Sequence, residues 1–142
     1  EENLGGFLTA YEDSPGSQAG GWSLRFWYPD EFVELLYFEA GGSANARVAA
    51  SSNGTVPADG SDRFIAATGS GNGGTLYVYD NTQQLFSGSG SASRGTGDRH
   101  VRGMKRGPNT PYTDGIQDDA VFSADTEMSE SEIEQIWDST KR

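Results

Sequence analysis

The sequence predicts an all-β protein in which two antiparallel sheets form a sandwich, closed by one short C-terminal helix. A chain of 142 residues has the size of one domain and can bury about 70% of its unfolded surface, so we predict a single domain over residues 1–142. Its 20 glycines, seven Phe, six Tyr and three Trp are typical of a sandwich with many turns. No apolar run reaches the roughly 18 residues that a membrane span requires, and we expect no membrane insertion.

Side chains alternate between apolar and polar or aromatic along two segments, as they do in half-buried strands. In residues 22–28 the alternation places Arg25 and Trp27 together, away from the apolar face. It places Tyr77 and Tyr79 together in the same way. Flat rings stack on pyranose faces, and the guanidinium of Arg donates paired hydrogen bonds to hydroxyls or carboxylates. These four side chains therefore predict a sugar-facing surface. The alternative is a sheet face that holds packed aromatics.

The remaining segments predict short strands joined by loops. Strands are expected at 32–38, which is almost continuously apolar, at 46–50 and at 100–105. Segments rich in Gly, Ser, Asn and Asp predict loops at 51–61, 69–74 and 87–98.

The helix is predicted over residues 129–139 from a start signal and an apolar stripe. Ser129 and Glu132 have the spacing of a capping box, and Met128 occupies the first position of a hydrophobic staple. Ile133 completes the staple. It is also the first of three apolar residues at helical spacing, which are Ile133, Ile136 and Trp137. We expect this stripe to lie on one of the sheets.

Four segments, in chain order, carry a resemblance to a known family. They are residues 21–29, 62–68, 74–86 and 115–137. The last combines an apolar strand bearing an Asp-Asp pair with the capped helix, and the ordered set resembles the LamG-like (laminin G-type) domain. That resemblance implies a concanavalin A-like jelly roll. The chain departs from the family pattern at Gln117, where an apolar residue is usual, and at 81–83, which replace a tight Asp-Gly turn.

The same resemblance implies a metal site at the Asp-Asp pair, Asp118 and Asp119. In jelly-roll relatives this position often supplies a carboxylate to a structural calcium ion, which binds six to eight oxygen ligands. Adjacent strand residues face opposite ways, so only one of the two carboxylates can reach a given ion. The alternative is a solvated pair at the start of a strand.

The charge balance is strongly acidic, with a formal net charge of −11. Such a surface repels phosphates, and we expect no nucleic-acid binding. Acidic excess combined with few Lys residues resembles proteins adapted to high salt, where carboxylate repulsion is screened. An ordinary acidic extracellular domain is the other interpretation.

Half of the basic residues fall in one short segment and predict a partner-binding surface. They are Arg94, Arg99, Arg102, Lys105 and Arg106. On an acidic protein this patch would bind an acidic glycan or the acidic face of a neighbouring subunit. Charge balancing of a solvated loop is the commoner explanation of such a run.

The residues that catalysis would require are poorly arranged. Glu34 and Glu39 are five positions apart in a predicted strand and therefore lie on opposite faces, which disfavours a retaining glycosidase. His100 is the only His and there is no Cys, which excludes a zinc site in practice. We therefore expect a protein that is not an enzyme.

By resemblance, the expected function is an extracellular carbohydrate-recognition or adhesion module. The rival expectation is a structural subunit of a virion or cell-surface assembly, such as a capsid decoration, spike or appendage protein. Partners would be a glycan or neighbouring protein subunits, at the cell surface or the virion surface. The chain begins at Glu1 without a leader, which indicates a processed protein or an excised piece.

Overall fold

The computed structural model describes most of the strands and the C-terminal helix. The backbone is described over residues 3–11, 19–28, 30–40, 45–57, 59–94, 101–103 and 127–141, and side chains over 21–27, 30–38, 46–57, 59–94 and 127–141.

Two antiparallel sheets contain all the described strands. Sheet A has five strands in the order β4-β3-β2-β1-β8. These are β1 (Asn3–Tyr11), β2 (Ala19–Tyr28), β3 (Phe32–Ala40), β4 (Asn45–Ala50) and β8 (Val101–Gly103). Sheet B has three strands in the order β5-β6-β7. They are β5 (Phe64–Thr68), β6 (Gly73–Tyr79) and β7 (Gln84–Ser91). With the single described helix α1 (Glu130–Thr140), this confirms a mostly β chain of antiparallel sheets and one short C-terminal helix.

The core lies between the two sheets, where apolar side chains of both meet. Leu24 and Leu35 of sheet A belong to the same buried cluster as Leu76 and Val78 of sheet B. Each of these positions lies on the apolar side of its strand's alternation, because successive side chains point to opposite faces. The alternation in the sequence therefore identified the inner face of both sheets correctly.

The outer face of sheet A, which is the face turned away from sheet B, is also buried along β3. Every residue from Phe32 to Phe38 is buried, as the continuous apolar run predicted. On β2 the outward-facing Ser23 is 0% exposed. A strand that is covered on both faces loses the polar side of its alternation, and this explains why β3 is apolar from Phe32 to Phe38 except at Glu34.

Helix α1 begins as the sequence predicted. The Ser129 hydroxyl accepts a hydrogen bond from the Glu132 backbone, and the Glu132 carboxylate accepts one from the Ser129 backbone N–H at 2.8 Å. Met128 and Ile133 belong to one apolar cluster, as a hydrophobic staple requires. These contacts confirm the capping box and the staple.

The start of the predicted loop at 87–98 is instead the end of strand β7. Its alternating Ser and Gly residues pair with β6 through residue 91. A side chain at Gly90 would collide with the backbone carbonyl of Val48 in β4, so glycine permits the two strands to approach closely. The Gly and Ser composition reflects this close packing rather than a flexible loop.

Candidate functional site

A cluster of polar and aromatic side chains lies on the outer face of sheet A, near the turn that joins β2 to β3. The antiparallel register places Trp27 opposite Phe32 and Arg25 opposite Glu34. Side chains of directly opposed residues lie on the same face and interact. The register therefore brings two rings and two opposite charges together.

The β2–β3 turn that sets this register is tightly bonded. Glu31 adopts a positive φ of 56°, and its backbone N–H donates to the Trp27 carbonyl at 2.8 Å. The loop after β4 holds the turn from the other side, because Gly54 donates to the Asp30 carbonyl at 3.0 Å and Val56 to the Glu31 carbonyl at 3.0 Å. Trp27 and Phe32 thus flank a turn with a defined conformation.

Glu34 is a buried carboxylate whose two oxygens both accept hydrogen bonds. The Trp27 indole donates from Nε1 to Oε1 at 2.6 Å, and Arg47 donates from Nε to Oε2 at 2.8 Å. The Glu34 side chain is only 2% exposed, and a buried charge requires such partners because it has lost its hydration. Glu34 therefore holds Trp27 and Arg47 in place.

Arg47 lies across the outer face and remains open to solvent. Its guanidinium carbon is 5.5 Å from the centre of the Phe32 ring, and its side chain is 55% exposed. The Trp27 ring stacks on the Phe32 ring at 5.8 Å, with 16° between the planes. Phe32 is only 9% exposed, so the surface itself consists of the half-buried Trp27 ring beside an accessible guanidinium, with the Phe32 ring packed against both.

Arg25, which the alternation grouped with Trp27, is buried on this face rather than open to a ligand. It is 5% exposed, and its guanidinium carbon is 5.2 Å from the centre of the Phe38 ring. Next to it, the Ser23 hydroxyl is fully buried and has no hydrogen-bond partner among the described residues. Arg25 thus packs against Phe38 and is not part of the surface that Trp27 and Arg47 form.

Tyr77 and Tyr79 lie on the outer face of sheet B, so the predicted surface of four residues is divided between two sheets. Helix α1 covers them: Trp137 packs on Tyr79 at 4.6 Å, and Ile133 belongs to the same buried cluster. Tyr79 is 0% exposed, and burial raises its pKa. The prediction that these rings form an open sugar-facing surface is therefore wrong while the helix is docked, because the apolar stripe of α1 packs on them.

The predicted basic patch is described only in part. The guanidinium carbon of Arg94 lies 5.3 Å from the centre of the Tyr37 ring, and its backbone N–H donates to Asn72 Oδ1 at 3.3 Å. Arg102 pairs through its backbone with Thr9 of β1. Arg94 thus takes part in packing within the domain. The other members of the patch, which lie outside the described residues, are Arg99, Lys105 and Arg106.

The calcium prediction also falls outside the described part of the chain, since Asp118 and Asp119 both lie there. Within the described ranges, no three His, Cys, Asp or Glu side chains are grouped closely enough to hold a metal ion. The calcium site therefore stays a prediction, as does adaptation to high salt. Among the described helices, none has the length and apolar character needed to cross a membrane.

Sequence reasoning missed Arg47 and Phe32 as site residues. The signal for Phe32 was present, because the apolar run of β3 begins directly opposite Trp27. Arg47 depends on a register shift, since a bulge lies at Leu35 and Leu36 in the pairing of β3 with β4. The positions of such bulges follow from tertiary packing and are not visible in the sequence.

Comparison with known proteins assigns no identity to this arrangement. The chain matches no family model, no curated protein and no solved structure. The function is therefore inferred from the site itself.

Proposed function

We propose that this protein is a non-catalytic extracellular carbohydrate-recognition or adhesion module with a jelly-roll fold. Its ligand would bind at the outer face of sheet A, on the surface formed by Trp27 and Arg47, which pack on the buried Phe32 ring. The observation that carries this proposal is the stacked pair of rings beside an accessible guanidinium that a buried carboxylate holds in place.

Stacked aromatic rings suit sugars because the C–H faces of a pyranose are apolar while its edges carry hydroxyl groups. Trp27 is bonded through Nε1 and packed on Phe32, so little side-chain freedom would be lost when a sugar binds. Preorganisation of this kind raises affinity by lowering the entropic cost of association. The site thus has the features expected of a recognition surface.

The state of Glu34 favours binding over catalysis. General acid–base work requires a group within hydrogen-bonding reach of the substrate. Both oxygens of Glu34 already accept hydrogen bonds, and the side chain is 2% exposed. Its role is to position Trp27 and Arg47.

The jelly-roll proposal rests on the arrangement of the sheets together with the sequence resemblance. Two antiparallel sheets share one apolar core, which is the layer architecture of such sandwiches. The C-terminal helix packs on the outer face of sheet B, so its stripe closes the domain as the resemblance implies.

Retention on immobilised polysaccharides tests the proposed function. Trp27→Ala should weaken retention by roughly 2- to 10-fold, because a stacked ring contributes about 0.5–1.5 kcal/mol beyond its area burial. Trp137→Ala is the matched control, since it removes the same type of ring from the outer face of the other sheet. It should leave retention unchanged below its melting temperature.

Two outcomes would refute the proposal. Equal retention of wild type and Trp27→Ala would show that the site does not bind the sugar. Absence of binding across a broad glycan array, combined with ordered self-assembly of the purified protein, would favour a structural subunit of a virion or cell-surface assembly.

A further inference from the structure

We propose that the outer edge of strand β5 binds the same edge of a second copy of this chain, so that the two copies of sheet B join in a symmetric dimer. Strand β5 ends sheet B, and among the described strands it pairs only with β6. An edge strand presents main-chain N–H and C=O groups that a further strand can bind. This inference is independent of the proposed carbohydrate binding.

Strand β5 lacks the features that protect an edge strand from pairing. Its sequence, Phe-Ile-Ala-Ala-Thr, contains no charged residue, no Pro and no Gly, and all five residues are half-buried. Its register with β6 runs from Phe64 opposite Tyr79 to Thr68 opposite Thr75 without a bulge. A regular, uncharged edge of this kind is a site where another strand adds to a sheet.

The β4 edge of sheet A and the β7 edge of sheet B differ from it. Strand β4 carries the exposed Arg47, and its pairing with β3 contains a bulge at Leu35 and Leu36. Strand β7 consists largely of Ser and Gly, and its Gly90 packs closely against Val48 of β4. Charges, bulges and cover by another element are the usual protections of a sheet edge, and β5 has none of them among the described residues.

The side chains of β5 favour a second copy as the partner, because the strand is complementary to itself. When two copies pair antiparallel about Ala66, directly opposed residues lie on the same face. Ile65 then lies opposite Ala67, and Phe64 lies opposite Thr68. Each large side chain thus meets a smaller one, and Ala66 meets its own copy at the two-fold axis. The register uses all five residues of the strand.

Helix α1 leaves room for this pairing. Its Ile133 belongs to the same buried cluster as Tyr77 and Tyr79 of β6, so the helix lies over β6. With strands about 4.8 Å apart, β6 lies about 7 Å from the two-fold axis. The two helices would then be about 14 Å apart, which exceeds the 8–10 Å at which packed helices touch.

Charge sets the conditions under which the dimer forms. The same register places Arg63 opposite Gly69 and Asp62 opposite Ser70, so no like charges oppose each other at the ends of β5. Both copies carry an acidic helix on the same face, however, and each has a formal net charge of −11. Salt screens this repulsion, so we expect the dimer to tighten as the ionic strength rises.

A single introduced thiol tests the contact, because the chain contains no Cys. Ala66→Cys brings two sulfurs to the axis, where the Cβ atoms of opposed residues lie about 4.5–5.5 Å apart, near the range of a disulfide. Mild oxidation should convert this variant to a covalent dimer. Ser87→Cys, at an exposed position of β7, is the matched control and should crosslink about tenfold more slowly, because its thiols meet only by random collision.

A charge exchange at the same position tests the register without a covalent bond. Ala66→Glu and Ala66→Lys each oppose like charges at the axis, so each should raise the Kd of the dimer by about tenfold or more in sedimentation equilibrium. An equimolar mixture of the two variants should restore association, because opposite charges then meet. Circular dichroism shows whether each variant is folded.

Three outcomes would refute the proposal. The first is a wild-type protein that stays monomeric up to about 500 µM in about 0.5 M KCl, where even a small interface should associate. The second is a dimer whose Kd both charge variants leave unchanged. The third is equal crosslinking of Ala66→Cys and Ser87→Cys, which decides the question alone if the charge variants unfold. Trp27→Ala, on the other sheet, should leave the mass unchanged, so failure of sugar binding and failure of pairing are distinguishable.

Discussion

Removal of the Trp137 side chain should destabilise the protein, because this ring attaches helix α1 to sheet B. The ring is half-buried and packs on Tyr79 at 4.6 Å. Its Nε1 donates to the Asp80 carbonyl at 2.8 Å, and the Lys141 ammonium lies 3.5 Å from the ring centre. The indole thus contributes apolar packing, one hydrogen bond and a cation–π contact.

The magnitude follows from these contacts. Replacing a fully buried Trp by Ala costs about 3–5 kcal/mol, so a half-buried ring accounts for about 2 kcal/mol. The hydrogen bond to Asp80 adds about 1 kcal/mol. Trp137→Ala should therefore lower the free energy of unfolding by about 3 kcal/mol, which corresponds to roughly 10 °C in Tm for a domain of this size.

Urea and thermal unfolding, followed by far-ultraviolet circular dichroism, measure this effect. Trp137→Phe separates the two contributions, because it keeps most of the packing and loses the hydrogen bond. Gln135→Ala, at an exposed position of the same helix, is the control and should leave Tm nearly unchanged. An unchanged Tm for Trp137→Ala would refute the docking of α1 on sheet B.

Two further predictions concern the helix cap and the contact between the sheets. Ser129→Ala should cost about 1 kcal/mol at neutral pH, because it removes the cap hydroxyl. Hydrogen bonds from Ser129 lower the pKa of Glu132, so this carboxylate stabilises the fold above its unfolded pKa and loses that effect as the pH falls through its folded pKa. The Ser129 backbone N–H donates one of these bonds and the Ser129 hydroxyl the other, and only the hydroxyl bond is lost in Ser129→Ala. The difference in unfolding free energy between wild type and Ser129→Ala, from urea unfolding, should therefore shrink modestly between pH 7 and pH 3, and a constant difference would refute a contribution from the hydroxyl–carboxylate bond. Gly90→Ala should lower the free energy of unfolding by about 1–3 kcal/mol, since the new methyl group meets the Val48 carbonyl. Gly73→Ala, where the added carbon meets only ordinary contacts, should be far milder, and equal effects of the two substitutions would refute the close approach of β4 and β7.

The sequence by itself determined the features that depend on near neighbours in the chain. Alternation identified the inner faces of β2 and β6, and the spacing of Ser129 and Glu132 placed the start of α1. A capping box closes within one helical turn, and side-chain alternation is a property of the extended backbone. Both features depend on residues only a few positions apart, so a local sequence pattern is enough to predict them.

The tertiary structure decided which of the outward-facing side chains can meet a ligand. Tyr79 and Trp27 occupy equivalent positions in their alternations, yet Tyr79 is covered by a helix that lies more than 50 residues further along the chain, while Trp27 remains half-exposed. Arg47 reaches Glu34 only because a bulge shifts the register between β3 and β4. Burial of apolar area stabilises such long-range packing, whereas desolvation of charged groups opposes it. Both contributions depend on residues that are far apart in the chain, so a local sequence pattern does not predict them.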